Sequence, residues 1–255
     1  MSNFVNILGV NVSITTPYQA CDQIFEWVKN HCKVYVCVSP VSTIVDCQRD
    51  EEYRQVVNGA SMVTPDGMPV VWVARSIKGV QGIERTYGPD LMLRVCDQGQ
   101  KIALKHFFYG GTPQVLADLS EALKRKYPQI NIVGMHAPDF KPQAVVESAG
   151  VIAQINQSHA DVLWVALGSP KQDFWMSINR PVLDVPVMVG VGAAFDFISG
   201  AKPQAPRWMG RSGLEWLFRL CAEPRRLWRR YLIGNSLFIW YVVKDVLTMG
   251  KRTHA

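Results

Sequence analysis

Asp66 stands in the run Thr64-Pro65-Asp66-Gly67, where a strand-forming stretch gives way to a turn. Pro-Asp-Gly is a turn signature in its own right. A carboxylate at the end of a strand can also take a proton from an attacking hydroxyl, which makes Asp66 a candidate general base. Glycine-bearing junctions follow at three other strand candidates. Tyr109-Gly110-Gly111-Thr112-Pro113 would let backbone approach a phosphate, with the free N–H groups of a helix start behind it. Leu167-Gly168-Ser169-Pro170-Lys171-Gln172 brings an amide and an ammonium to another helix start, and Val189–Asp196 repeats the pattern through Gly190 and Gly192. Arg85, in Arg85-Thr86-Tyr87-Gly88-Pro89-Asp90, reads either as part of a turn and helix cap or as a phosphate clamp. Each run also suits an ordinary turn, but their shared place at strand ends favours one ligand site.

Those junctions require strands that end side by side. Short β-branched and aromatic runs mark strand candidates at Val34–Val38, Ser61–Thr64, Lys105–Tyr109, Gln129–Gly134, Val162–Ala166 and Val185–Val191. Helix-like stretches alternate with them at Thr43–Asn58, Met68–Arg75, Asp90–Asp97, Pro113–Lys126, Pro142–Ser158 and Pro170–Asn179. The alternation predicts an α/β fold, a mostly parallel, Rossmann-like sheet with helices on both faces. Ligands of such sheets bind beyond the carboxyl ends of the strands. Strand signals stop near Gly200, so the chain divides into a body, residues 1–200, and a helical C-terminal appendage, residues 201–255. Within the appendage, Arg225, Arg226, Arg229 and Arg230 fall on one helix side, with Leu227, Trp228, Tyr231 and Leu232 on the other.

Charge divides at the same place. The chain carries +6 overall, yet from Lys202 onward it holds 11 Lys and Arg against 3 Asp and Glu, with four of the eight tryptophans. An anionic partner is expected there: phosphate, nucleic acid or acidic lipid. The apolar stretch Tyr231–Val243 is shorter than the about 20 residues that span a bilayer, so the appendage is expected to lie on a membrane surface and not to cross it. The first residues lack a signal-peptide pattern and the six cysteines lack CxxC spacing, which reads as a cytoplasmic protein with reduced thiols. The five histidines show no metal-ligand spacing and no Asp-x-Asp pair occurs. No metal site is therefore expected, and a leaving diphosphate would be met by arginines and helix starts. The glycines of Val189–Asp196 suggest a dinucleotide fold, but Phe195 replaces the third small residue and no further βαβ unit follows, which argues against a dehydrogenase.

Six separated motifs, in register from about Val34 to Tyr231, resemble the WecG/TagA/CpsF family of glycosyltransferases: TPDG (64–67), RTYGPDL (85–91), FFYGGTP (107–113), LGSPKQD (167–173), GVGAAFDFISG (190–200) and APRWMGRSGLEWLFRLCAEPRRLWRRY (205–231). The resemblance implies transfer from a UDP-sugar to a sugar attached through diphosphate to a polyprenyl lipid, with inversion and with neither metal nor cofactor. It implies work on the inner membrane face, in the assembly of teichoic acid, capsule or exopolysaccharide. It places the general base on Asp66, the motif glutamine on Gln172 and the carboxylate after GVG on Asp196. The donor-diphosphate arginines fall on Arg219, Arg226 and Arg229, and the arginine before the GxDL motif on Arg85. Relatives carrying Thr-x-Asn at the end of the first long strand contrast with Val38-Ser39-Pro40 here, so N-acetylmannosamine and glucose both stand as donor sugars. Two rival classes remain: a non-catalytic nucleotide-sugar-binding scaffold subunit, and a nucleic-acid binder with steep salt dependence. The reading adopted expects no nucleic acid partner and leaves a homo-oligomer open.

Overall fold

The computed structural model describes residues 4–252 apart from Phe140 and Pro142. It opens with an antiparallel hairpin, β1 (Phe4–Ile7) and β2 (Val10–Ser13), that the sequence patterns do not announce. Each strand has four residues, and the turn uses Leu8 and Gly9, both at positive φ, where Asn-Gly would have been the readable signal. Helix α1 (Pro17–Lys29) was also unforeseen. Its start is nonetheless written locally, since Thr16 and Gln19 form a reciprocal capping box around Pro17.

The six expected strands are all present: β3 (Val34–Ser39), β4 (Met62–Pro65), β5 (Lys105–Gly110), β6 (Asn131–His136), β7 (Val162–Ala166) and β8 (Val187–Gly190). They form one parallel sheet in the order β4-β3-β8-β7-β5-β6. The expected helix Thr43–Asn58 is two helices, α2 (Val41–Cys47) and α3 (Glu51–Asn58), because Asp50 leaves the helical path to cap the Tyr53 N–H at 2.9 Å. Then follow α4 (Met68–Trp72), which runs into a π-turn at Val73–Ile77, α5 (Gly88–Gly99) and α6 (Pro113–Lys126). The helix expected over Pro142–Ser158 is shorter: α7 spans Ala149–Gln157 behind a Ser148 cap, and Pro142 lies outside the described residues. Helices α8 (Lys171–Asn179) and α9 (Ala194–Ser199) complete the body.

Central strands alternate between two apolar layers, which is why they read as continuous hydrophobic runs. Val36, Val38, Phe108, Trp164 and Val189 meet α1, α5, α6 and α9 on one face. Cys37, Phe107, Tyr109, Leu163 and Met188 meet α7 and α8 on the other. A third core joins the hairpin, α2, α3, α4 and Val63 of β4.

After Gly200 the described chain is helical, through α10 (Arg207–Arg211), α11 (Glu215–Ala222), α12 (Pro224–Trp228), a π-turn at Arg229–Ile233 and α13 (Gly234–Arg252). These helices are docked on the body. Phe238 of α13 is buried in the hairpin core, α13 packs on α2, and Lys78 pairs with Asp245 at 2.8 Å.

At the amino ends of the strands, Arg180 donates to the carbonyls of Val34, Leu183, Val185 and Pro186 and so fixes the entry to β8. Arg180→Met is expected to lower the free energy of unfolding by about 2–3 kcal/mol, read as a lower urea midpoint at unchanged slope.

Candidate active site

Because every strand of the large sheet points the same way, the loops after β3, β4, β5, β7 and β8 gather along one edge. A cleft of about 300 Å³ opens there. The body contributes Asp66, Gly111, Ser169, Gln172, Gly192 and Asp196 to its wall, and the docked tail contributes Arg219, Arg226 and Arg230. A smaller cavity of about 80 Å³ lies beside it, between Asp66 and Arg85 of the body and Trp216 and Tyr231 of the tail. Asp66, Arg219 and Arg230 border both spaces.

Asp66 follows directly on β4, with its N–H on the Ser39 carbonyl at 3.2 Å. Its Oδ1 is covered and without a hydrogen-bond partner. Burial raises its pKa to about 6, assisted by the nearby Glu215 carboxylate and opposed by Arg85, Arg219 and the Gly88 N–H. A carboxylate so placed is ionised at neutral pH and still basic enough to accept a proton.

Arg85 is held in the smaller cavity by protein groups. Its Nε donates to the Asp66 carbonyl, its Nη2 pairs with Glu215, and its guanidinium lies 4.3 Å from the Tyr87 ring centre. Gln172 fastens two of the loops together: its Oε1 accepts from the Gly192 N–H at 2.9 Å while its Nε2 donates to Ser169 Oγ at 3.2 Å. Of the four glycines expected to approach a ligand, Gly111 and Gly192 face the cleft, both at positive φ. Gly110 and Gly190 serve packing beneath it. A Cβ on Gly110 would come within 2.6 Å of the Ala166 carbonyl oxygen, and one on Gly190 within 2.8 Å of Met176.

Asp196 lines the cleft and pairs with Lys202 at 2.8 Å; Lys202 also reaches Glu223 at 3.3 Å, tying α12 to α9. Arg226 pairs with Glu223 and has its pKa lowered, first by partial burial and then by the charges of Arg219 and Arg230. Such crowding of like charge is what an anion placed between them would relieve.

The tail departs from the expected split into an arginine side and an apolar side. Arg226 and Arg230 face the cleft, Arg225 and Arg229 are exposed, and Arg229 lies 5.2 Å from the Trp228 ring centre, outside both cavities. Leu227 is buried while Trp228 and Leu232 are exposed. Arg226 and Arg230, four residues apart, share the cleft side, and Arg225 and Arg229, likewise four apart, share the outer side; the four arginines span too wide an arc for one face. Arg230, which the motifs did not single out, donates to Ser42 Oγ at 2.9 Å and borders both spaces. Ser169, Tyr87 and Lys202 also join the wall without having been picked out as site residues. Among the described residues, no three His, Cys, Asp or Glu side chains converge as a metal site.

Transfer of a group to a hydroxyl asks a protein for a base on one side and cation-lined room for an anionic leaving group on the other. The architecture and the family comparison together make this protein a glycosyltransferase. The glycosyl transferase WecG/TagA/CpsF family model matches residues 5–252, and the chain belongs to that family. It is also similar to the N-acetylglucosaminyldiphosphoundecaprenol N-acetyl-beta-D-mannosaminyltransferase of Bacillus spizizenii, with 35% identity over 188 residues, 73% of this chain and 70% of that one.

Gln172→Met removes the acceptor of the Gly192 N–H. Amide exchange at Gly192 is expected to quicken about tenfold while exchange in the sheet core stays unchanged, as followed by hydrogen–deuterium exchange.

Proposed function

We propose that this enzyme moves a sugar from a UDP-sugar to a sugar carried on a polyprenyl diphosphate, with inversion at the anomeric carbon and without a metal ion. The observation that carries the proposal is the position of Asp66 on the boundary of two adjoining spaces. The larger space suits the donor. Gly111 and Gly192 allow close backbone approach there, and Arg219, Arg226 and Arg230 surround room for a diphosphate. The smaller space suits the acceptor sugar, with the aromatic side chains of Trp216 and Tyr231 in its wall.

The acceptor oxygen attacks the anomeric carbon as its proton passes to Asp66. The bond from that carbon to the diphosphate oxygen breaks, and the departing UDP gains charge beside the arginines, where a preorganised cation contributes most. The relative's name supports both substrates, an acceptor on diphosphoundecaprenol and an N-acetylmannosaminyl donor group. N-acetylmannosamine is therefore the first donor sugar to test and glucose the second. Cell-surface polysaccharide assembly is the setting in which such an acceptor is used.

The tail supplies a reason to work at the membrane surface. No helix among the described residues is long and apolar enough to cross a bilayer. Instead, Ile239, Trp240, Val243 and Leu247 form an exposed apolar stripe along α13, with Trp228, Leu232 and Ile233 exposed near its start. A helix with one docked face and one exposed apolar face suits peripheral binding on the cytoplasmic side, where nucleotide sugars are made.

The direct test presents UDP-sugars, each with a synthetic lipid-diphosphate-sugar acceptor, and identifies any product and its linkage. UDP binding without transfer from any donor would instead support a scaffold subunit. Asp66→Asn is expected to reduce turnover at least about a hundredfold while UDP binding, measured by calorimetry, persists. In the wild type the rate is expected to fall as pH drops through about 6, because the base must be deprotonated to act. Replacing Trp240 and Leu247 together by serine is expected to weaken sedimentation with anionic vesicles about tenfold or more, with UDP affinity unchanged.

A further inference from the structure

Arg85 and Glu215 form an ion pair from which the base itself is left out. Arg85 belongs to the body and Glu215 to α11 of the tail, both side chains are less than one-fifth exposed, and 130 residues separate them in sequence. The guanidinium is gripped on every side. Its Nε is spent on the main-chain carbonyl of Asp66, its face lies over Tyr87, and Nη1 fits a notch left by Gly210 of α10. A Cβ at Gly210 would stand 2.6 Å from Nη1. The Asp66 carboxylate, on the same residue as the carbonyl that Arg85 binds, keeps Oδ1 without a partner.

We propose that Glu215 is a positioning residue that holds the Arg85 guanidinium off the Asp66 carboxylate, so that the base is completed only when α11 is docked. The proposal rests on the reading of Asp66 as general base. An unopposed guanidinium so close would capture the carboxylate as an ion pair and make it a poorer proton acceptor. Glu215 prevents this by giving the guanidinium a carboxylate of its own and by adding negative charge near the base, while Gly210 makes room for the arrangement. The groups facing Asp66 are Arg85 and Tyr87 from the segment before α5, Glu215 and Arg219 from α11, and Arg230 and Tyr231 from the π-turn. Glu215 is the acidic member of that set, and it acts on Asp66 in the direction the proposal requires.

The test is the acidic limb of the pH–rate profile at saturating substrates. Glu215→Gln is expected to move the limb to lower pH by about one unit and to lower the plateau rate, because the base is weaker. In Arg85→Gln/Glu215→Gln both charges are gone, and the limb is expected to return toward its wild-type position. Glu215→Asp, which keeps the charge one methylene back, is expected to leave the limb near wild type. An unmoved limb in Glu215→Gln, or a Glu215→Asp variant that behaves like Glu215→Gln, overturns the proposal. Carbon-13 titration of the Asp66 carboxyl, assigned by its loss in Asp66→Asn, reports the same shift without turnover. Were Asp66→Asn to remain fully active, the base assignment would fall, while the titration would still show whether Glu215 governs the ionisation of Asp66.

Discussion

On the proposed mechanism the Asp66 carboxylate accepts a proton while it stands within reach of several arginines, and it must not be captured by any of them. Much of the site follows from that constraint. On that reading arginines are wanted because a departing diphosphate needs positive charge, yet a guanidinium paired to Asp66 would silence the proposed base. The structure separates the two demands in space. Arg85 is engaged by a main-chain carbonyl and by Glu215, and Arg230 reaches Ser42. Arg226 is steered by Glu223 toward the larger cleft. Burial then sets the basicity of the carboxylate that remains unpaired.

The body and the tail divide the work unequally. The parallel sheet supplies geometry: a rigid row of strand ends, two loops joined through Gln172, and glycines where a Cβ would collide. The tail supplies nearly all the positive charge of the larger cleft and the aromatic wall of the smaller one. Neither part makes the two adjoining spaces alone. The anchors between them are of several kinds: Phe238 buried in the hairpin core, ion pairs at Lys78–Asp245 and Arg85–Glu215, and Lys202, which joins Asp196 of the body to Glu223 of the tail. Burial of a large side chain such as Phe238 contributes about 1.5–3 kcal/mol, whereas a part-exposed pair such as Lys202–Glu223 contributes little and chiefly sets orientation.

The sheet was legible because its strands are buried on both faces and so appear as unbroken apolar runs such as Val34–Val38 and Val162–Ala166. The place of Asp66 in the cleft wall was legible because its turn signature sits at a strand end. What escaped did so for local reasons. The hairpin turns on Leu8-Gly9, an uncommon pair for that task, and the cap at Asp50 splits what looked like one helix. Glycine in a motif does not say what approaches it; at Gly110 the neighbour is Ala166, not a ligand. Arg230 turns to the cleft with Arg226, four residues before it, and the cluster of arginines in the sequence does not say which pair faces inward. The Arg85–Glu215 pair joins residues whose separation leaves no local pattern to read.

The strand order also bears on how the chain emerges from a ribosome. β8, the last strand to be synthesised, lies in the middle of the sheet, between β3 and β7. Before it appears, the nascent chain can make only two separate half-sheets, β4-β3 and β7-β5-β6, each ending in a raw apolar edge. Open edges of that kind invite pairing with other chains. The wait is long, because about 150 residues lie between the two central neighbours β3 and β8. The architecture that aligns every strand end on one edge thus leaves the inner side of β3 without its neighbour through most of translation, while β7 waits only about 20 residues. The β3 edge is therefore the one left open to wrong partners for longest, until the keystone strand arrives.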